Sequence, residues 1–283
     1  MLVVENAKII SNKEISPNFF VLELLSPKIA KTAKPGQFVN IRVSDAADPL
    51  LRRPISIYDT ENDNLKILYF VKGKGTEILR DKNPGDLLNI TGSHGNGFTV
   101  DANAKNILLV GGGFGTAPLA FLAKKIRDES YTVAGSSHLG GRDSFHPRGE
   151  QLRKPFKKKG IFVAIGGRTK ELILCEDDFK KLSAKVFVTT DDGSYGKRGL
   201  VTKSVEKIIA ENKINQIFTV GPFVMMKAAA QIAEKANIPC QVSMEERMAC
   251  GVGACYGCVC QTKEGYKTIC ENGPVFESKE LEL

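Results

Sequence analysis

The chain has 283 residues, with 40 Lys and Arg against 32 Asp and Glu, a formal net charge of +8, 42% hydrophobic residues and seven cysteines. A quarter of the residues are charged and apolar residues are plentiful, which excludes a disordered chain, and the length predicts two domains with an appendage. No stretch reaches the roughly 18 to 20 uncharged apolar residues of a membrane span, and Met1–Ile10 does not resemble a signal peptide, so we expect a cytoplasmic protein.

Residues 1–100 have the sequence pattern of a small antiparallel barrel. Six short runs rich in Val, Ile and Phe are separated by turn dipeptides such as Pro35-Gly36 and Pro84-Gly85. Six strands at this spacing predict a six-stranded antiparallel β-barrel as the first domain.

Two short motifs in this first domain are candidates for phosphate and ring binding. An arginine in the run Arg52-Arg53-Pro54-Ile55-Ser56 can bind a diphosphate with two hydrogen bonds, and the serine hydroxyl can bond the edge of a flavin ring. Paired arginines usually form a solvated strand edge, which is the alternative here. The run Gly73-Lys74-Gly75-Thr76 is a second phosphate candidate, with a simple hairpin loop as its alternative. His94 is interpreted as a turn residue and not as a ligand.

After residue 100 the pattern changes to alternating strands and helices. Asn106–Val110 predicts a buried strand, Gly111–Gly115 a glycine-rich turn and Thr116–Ile126 a helix. This alternation predicts a parallel sheet with helices on both faces, in a second domain of residues 101–237. The further strands are predicted at 161–165, 186–190 and 216–220, and the further helices at 200–211 and 223–236.

Three loops of the second domain follow strands and are candidates for dinucleotide binding. The glycine-rich turn that opens a helix suits a pyrophosphate, although a turn selected for helix packing has the same sequence. Asp191-Asp192-Gly193 and Gly221-Pro222 end two other strands at the carboxyl edge of the sheet, where open α/β folds bind ligands. A plain β-turn explains the aspartates equally well. Because no acidic residue ends the next strand and Arg168 lies nearby, the choice between NADH and NADPH stays open.

The positive charge is concentrated in one stretch, Gly135–Gly160. Seven basic residues stand there against two acidic ones, a net of +5 out of the chain's +8. Gly, Ser and Pro are frequent and no apolar period is sustained, so we interpret the stretch as a solvated insertion. Phe145 and Phe156 are the only aromatic residues in this stretch, which is too few for an aromatic platform that stacks nucleic-acid bases. We therefore expect no nucleic-acid partner.

Five of the seven cysteines fall within 21 residues, Cys250–Cys270, in the tail of residues 238–283. Cys250, Cys255, Cys258 and Cys270 have the spacing C-x4-C-x2-C-x11-C, and the first three match plant-type 2Fe-2S sites. Gly251, Gly253 and Gly257 would allow the loop to adopt positive φ and direct N–H groups at sulfur. The alternative is a zinc ribbon, whose ligands usually form two close pairs. The three remaining cysteines, Cys175, Cys240 and Cys260, are expected to be packing residues, with a ligand role in an altered register as the alternative for Cys260.

Together these motifs resemble the electron-transfer subunits of bacterial dihydroorotate dehydrogenase type B, within the ferredoxin-reductase-like superfamily. The phrases that carry the resemblance are LLRRPISIYD, LLVGGGFGTAPL and MEERMACGVGACYGCVCQT. The resemblance implies a multi-domain β plus α/β chain: an FAD-binding barrel, a Rossmann-like NAD-binding domain and a small 2Fe-2S tail. The basic insertion is its one clear departure from the family pattern.

The resemblance also implies site residues. Arg53 would bind the FAD diphosphate with Gly75 and Thr76, Ser56 would contact the isoalloxazine, and the stretch from Pro54 to Ile57 would add main-chain contacts through Ile55 and Ile57. The residues implied or predicted for NAD(H) are Gly112, Gly113, Gly115, Thr116, Asp191, Asp192, Gly221 and Pro222. The cluster ligands would be Cys250, Cys255, Cys258 and Cys270.

The implied function is electron transfer, with dihydroorotate oxidised on FMN in a separate catalytic subunit. Electrons would pass through the 2Fe-2S cluster and FAD to NAD+, in a heterotetramer of two copies of each chain. No acid–base triad is required, because the cofactors supply the chemistry. Two alternatives stay open: a related subunit of a ferredoxin:NADP oxidoreductase or a hydrogenase, and a non-catalytic zinc or nucleic-acid-binding protein.

Overall fold

The computed structural model describes residues 3–128 and 159–283. All of the predicted basic insertion except Lys159 and Gly160 lies outside the described residues. Lys159 is anchored by its side chain, whose Nζ donates hydrogen bonds to the carbonyl oxygens of Asp101, Ala102 and Ala104.

Residues 3–94 form a closed barrel, as the sequence predicted. Its strand order is β1-β2-β5-β4-β3-β6, and every neighbouring pair is antiparallel. Alternate side chains such as Leu22, Ile41 and Leu65 are fully buried inside it. The strands are β1 (Val3–Ser16), β2 (Phe19–Leu25), β3 (Phe38–Arg42), β4 (Arg53–Glu61), β5 (Asn64–Phe70) and β6 (Leu87–His94).

Two short helices, α1 (Pro27–Thr32) and α2 (Lys74–Arg80), connect barrel strands and were not predicted. Helix α2 begins at the Gly73-Lys74-Gly75-Thr76 motif, so the motif is a helix start and not the hairpin loop considered as its alternative. Helix α1 lacks a side-chain cap of its own, and the carboxylate of Glu5 accepts the N–H groups of Lys28 and Ile29 instead. Helices this short depend on such tertiary contacts.

The second half contains a seven-stranded sheet in the order β10-β9-β8-β7-β11-β12-β15. Strands β7 to β12 pair in parallel, and β15 is antiparallel to β12. The strands are β7 (Asn106–Gly112), β8 (Gly160–Gly167), β9 (Lys185–Thr190), β10 (Lys197–Arg198), β11 (Gln216–Val220), β12 (Cys240–Ser243) and β15 (Val275–Glu277), and the helices are α3 (Thr116–Arg127), α4 (Glu176–Lys181), α5 (Val201–Glu211) and α6 (Phe223–Lys235).

Helices cover both faces of this sheet, which confirms the predicted parallel α/β architecture. Leu108 and Val110 of β7 pack in one apolar cluster with α5 and α6. Ile107 and Leu109, which point the opposite way, pack with α3 and with Phe179 of α4. A strand buried on both faces explains the continuous apolar run from Asn106 to Val110.

The C-terminal tail is joined to this sheet and to the barrel. Strands β12 and β15 extend the sheet beyond residue 237, and between them lies a hairpin of β13 (Val259–Thr262) and β14 (Gly265–Thr268). The sheet therefore includes residues on both sides of the predicted domain boundary, and the division into three ranges stays a prediction.

The barrel and the sheet domain are connected by polar contacts of β4. The Tyr58 hydroxyl donates to the Asp178 carboxylate at 2.6 Å, and Lys124 Nζ contacts both carboxylate oxygens of Asp59 at 2.8 and 2.9 Å. Burial is the main cause that raises the pKa of Tyr58, so the phenol stays a donor. These contacts fix α3 and α4 against the barrel.

No helix among residues 3–128 and 159–283 is long and apolar enough to cross a membrane.

Replacing Tyr58 with Phe tests the contact between the two domains. The change removes one hydrogen bond to a charged acceptor, and we expect it to lower the free energy of unfolding by about 2 kcal/mol. That loss corresponds to a melting temperature lower by roughly 4 to 8 °C for a domain of this size. Thermal unfolding of both variants measures it. Tyr266→Phe is the matched control, because Tyr266 is 73% exposed; equal melting temperatures for the two variants would contradict the account.

Candidate functional site

The two barrel motifs meet although about 20 residues separate them. Arg53 opens β4, and its guanidinium lies against Gly75, where a Cβ would overlap the arginine side chain. The Thr76 hydroxyl accepts the N–H of Lys72 at 3.0 Å and of Gly73 at 3.3 Å, which fixes the start of α2. An arginine beside backbone that can approach closely is an arrangement suited to a diphosphate.

One face of strand β4 points into the barrel and the other points outward. Ile57 is fully buried in the barrel, and Ile55 packs from the same face. Pro54 and Ser56 alternate with them and therefore face outward. Ser56 pairs with Phe38, and Pro54 pairs with Asn40. The outer face of β3 and β4 is thus the place where a flat ring bonded to Ser56 can lie.

The glycine-rich turn and Gly221-Pro222 adjoin at the carboxyl edge of the sheet. A Cβ on Gly115 would lie 2.6 Å from the carbonyl oxygen of Val220, and one on Gly112 would lie 2.9 Å from Pro222 Cδ. Only glycine permits this approach of two strand ends. Gly113 to Gly115 form a short 3₁₀ turn, and the Thr116 hydroxyl donates to the Gly113 carbonyl at 2.8 Å. The turn leads into α3, as a pyrophosphate site requires.

The two aspartates lie at the same edge, two strands away from the glycine turn. Backbone N–H groups of Asp191 and Asp192 donate to the carbonyls of Gly167 and Arg168. The Asp192 carboxylate accepts the backbone N–H and the hydroxyl of Ser194 at 2.9 and 2.7 Å. The backbone hydrogen bond is the main cause that lowers the pKa of Asp192. Both the turn and the ligand interpretation fit this geometry, and Arg168 is exposed beside it.

The cysteine loop lies between β12 and β13 and directs N–H groups at sulfur. The N–H of Gly253 donates to Cys270 Sγ at 3.1 Å, and the N–H groups of Val252 and Gly257 donate to Cys250 and Cys255, both at 3.4 Å. Such donors stabilise the thiolate form, which is the form that binds iron.

The loop conformation agrees with the predicted glycine roles at two of three positions. Gly251 has φ +70° and Gly253 has φ +79°. Gly257 does not have positive φ; the left-handed residue beside it is Tyr256, at φ +54°. Gly257 contributes its N–H group and not an unusual backbone angle.

The four thiols divide into two pairs. The backbone N–H of Cys270 donates to Cys258 Sγ at 3.5 Å, so these two buried cysteines are neighbours, while the half-buried Cys250 and the exposed Cys255 lie in the loop before β13. In the described part of the chain no three His, Cys, Asp or Glu side chains lie together as the ligands of one metal ion. A two-iron cluster takes two thiolates on each iron, and four cysteines supply them. The donor set fits 2Fe-2S.

One pair is buried and the other reaches the surface. Cys258 and Cys270 are nearly inaccessible, and burial raises the pKa of Cys270. Cys255 is exposed, and the Val252 N–H lowers the pKa of Cys250. Cys260 is buried in β13 and packs in the same core, as expected for a structural thiol.

The remaining two cysteines and His94 have structural roles. Burial raises the pKa of Cys175 and of Cys240 to about 12, which keeps both as thiols. His94 is the last residue of β6 and not a turn residue, so that expectation was wrong; its Nε2 lies 2.8 Å from the Thr91 hydroxyl and its ring stacks on Phe38. Burial lowers the pKa of His94.

Sequence reasoning missed Asn40. It is 2% exposed on the outer face of β3, and a Cβ on Gly251 of the cysteine loop would overlap its Nδ2. A polar residue inside the apolar run Phe38–Ile41 was the only available signal.

Comparisons with known proteins agree across the whole chain. The iron-sulfur cluster binding domain of dihydroorotate dehydrogenase B matches residues 245–282. The dihydroorotate dehydrogenase B (NAD(+)) electron transfer subunit of Caldanaerobacter subterraneus subsp. tengcongensis is 37% identical over 97% of each chain, and that of Desulforamulus reducens is 36% identical over 98% of each.

Solved structures share the fold. An NADH-dependent reduced ferredoxin-NADP oxidoreductase structure superposes with a TM-score of 0.80 at 30% identity, covering 98% of this chain and 90% of that one. The cytochrome P450 reductase GcoB of Amycolatopsis superposes at 0.63 and 16% identity over 84% of this chain and 67% of that one, which is a likeness of fold alone.

A pair of cysteine variants tests the proposed ligand set. Cys258→Ser is expected to lower iron and acid-labile sulfide at least tenfold, because a serine oxygen is a poor ligand for iron. Cys260→Ser is the matched control, since both cysteines are buried and only two residues apart. Iron analysis of anaerobically purified variants measures the outcome. Loss of iron in the Cys260 variant with full iron in the Cys258 variant would place the ligands in a different register.

Proposed function

Because this chain belongs to the family of dihydroorotate dehydrogenase B electron transfer subunits, we propose that it carries electrons from an FMN-containing catalytic subunit to NAD+. The family resemblance predicted from the sequence is confirmed by these relatives. Electrons enter at the 2Fe-2S cluster of the tail and leave through FAD on the barrel. The chain alone does not oxidise dihydroorotate.

One observation supports this route most directly. Phe38 packs in one apolar core with Cys258 and Cys270, and on the neighbouring strand it pairs with Ser56. The cysteine loop and the ring-binding strand therefore share the same outer barrel face. Electron transfer requires cofactors held close together, and this packing would hold the cluster and the flavin on the same face of the barrel.

The barrel residues hold FAD. Arg53 binds the diphosphate, with Gly75 and Thr76 completing the phosphate site. Ser56 bonds the isoalloxazine, and Pro54, Ile55 and Ile57 shape the strand on which it lies. FAD exchanges two electrons as a hydride with a nicotinamide, while the 2Fe-2S cluster passes electrons singly.

The carboxyl edge of the sheet holds NAD(H). Backbone N–H groups of the turn formed by Gly112, Gly113, Gly115 and Thr116 bind the pyrophosphate at the start of α3. Gly221 and Pro222 lie against this turn and close the nicotinamide side. Asp191 and Asp192 bind at the adenosine side, next to Arg168.

The tail holds the cluster and receives the partner. Cys250, Cys255, Cys258 and Cys270 ligate the two irons, and the backbone N–H groups directed at sulfur stabilise the charged ligands. Val252 and Tyr256 are 47% and 72% exposed beside the accessible pair. An apolar surface next to the cluster suits the catalytic subunit, in a heterotetramer of two copies of each chain.

A second function is favoured by one observation. The reduced ferredoxin-NADP oxidoreductase structure is 30% identical over nearly the whole chain. A subunit of that type would work with a different partner. Rapid-mixing measurement of flavin reduction by NADH and by NADPH, with identification of the copurifying subunit, separates the two functions. Preference for NADH and an FMN-containing partner support our proposal, and preference for NADPH contradicts it.

Replacing Arg53 with Ala tests the FAD site. We expect FAD to bind about tenfold more weakly, a loss of about 1.4 kcal/mol, because a charge-assisted diphosphate contact is removed. FAD retained after gel filtration, measured by absorbance, gives the result. Arg80→Ala is the control, because Arg80 lies at the opposite end of α2 and pairs with Asp81. Equal flavin content in both variants would rule out the proposed role of Arg53.

A further inference from the structure

Asn40 connects the two parts of the proposed electron route. It lies on the outer face of β3 between Phe38 and Arg42, directly opposite Pro54 of the ring-binding strand. Its backbone carbonyl accepts a hydrogen bond from Arg52 Nη1 at 3.4 Å. The residue therefore belongs to the strand pair that holds Ser56.

The side chain of Asn40 points at the cysteine loop. A Cβ built on Gly251 would overlap Asn40 Nδ2, which is the nearest atom, with Cγ at 3.0 Å and Oδ1 at 3.6 Å. Gly251 is itself buried and follows Cys250 directly, at φ +70°. The amide of Asn40 thus occupies the space that any larger residue at position 251 would fill.

The chemistry of this contact is unusual for a barrel surface. Asn40 is 2% exposed, and no hydrogen bond of its side-chain amide is found in the described part of the chain. Buried amides are normally paired, because an unpaired donor forfeits its bonds to water. The amide lies close to a proposed cluster ligand, because Cys250 directly precedes Gly251.

We propose that Asn40 is a positioning residue that raises the reduction potential of the 2Fe-2S cluster. Its side chain holds the Cys250–Val252 segment against the ring-binding strand, and the N–H groups of its amide are directed toward the sulfur ligands. This inference rests on the proposed function. A reduced cluster carries one more negative charge than an oxidised one, so an N–H dipole directed at it stabilises the reduced state.

The test is a redox titration of the purified full-length chain followed by electron paramagnetic resonance. Asn40→Leu keeps the volume and removes the N–H groups. At a fixed solution potential we expect the ratio of reduced to oxidised cluster to fall about tenfold, which is about 59 mV for one electron. The g-values should shift as well, because the loop is no longer held by the amide.

Asn106→Leu is the matched control. Its amide donates to the Lys213 carbonyl at 2.9 Å in the sheet domain, away from the cysteine loop, so the cluster potential should not change. If the Leu variant at position 40 does not retain iron, Asn40→Asp replaces it. Aspartate keeps the shape of the side chain, lacks its N–H groups and adds a negative charge, so we expect the reduction potential of the cluster to fall further.

The outcomes separate this inference from the function on which it rests. A wild-type chain without a 2Fe-2S signal contradicts the proposed function. A wild-type chain with the signal, combined with an unchanged potential and unchanged g-values in the iron-loaded variant at position 40, overturns the role of Asn40 alone.

Discussion

The packing of the cysteine tail on the outer face of β3 is the contact on which the rest of the structure depends. Phe38 enters the core that contains Cys258 and Cys270, and Asn40 meets Gly251. Further along the barrel, the backbone N–H of Asn96 donates to the Gly273 carbonyl, and a Cβ on Gly95 would clash with Gly273 and Pro274. A tail held this closely brings the sulfur ligands to the strand pair that carries Ser56.

The second constraint is the orientation of the sheet domain against the barrel. Helix α3 begins at the glycine turn and ends beside the barrel, where Lys124 binds Asp59. Tyr58, two residues after Ser56, is bonded to Asp178 of α4. The strand proposed to bind the flavin ring thus also carries the contacts that orient the sheet domain. Strand β4 therefore sets the position of the proposed nicotinamide site relative to the proposed flavin site.

The sequence predicted the regular elements well, because their signals are local. The six barrel strands, the run Asn106–Val110 and the helix after the glycine turn follow from alternation, burial and turn chemistry. It missed α1 and α2, which are too short for a periodic signal and depend on distant partners such as Glu5. It also missed Asn40, whose contact is with Gly251 in the distant tail. It missed the burial of His94 as well, because the imidazole stacks on Phe38 of another barrel strand.

The central claim is that this one chain carries a flavin and a two-iron cluster in series. The most direct test is coulometric reduction of the anaerobically purified chain, monitored by absorbance and electron paramagnetic resonance. The account predicts uptake of about three electrons per chain, two by FAD and one by the cluster. Uptake of only two electrons, in protein that contains zinc or lacks acid-labile sulfide, would contradict it.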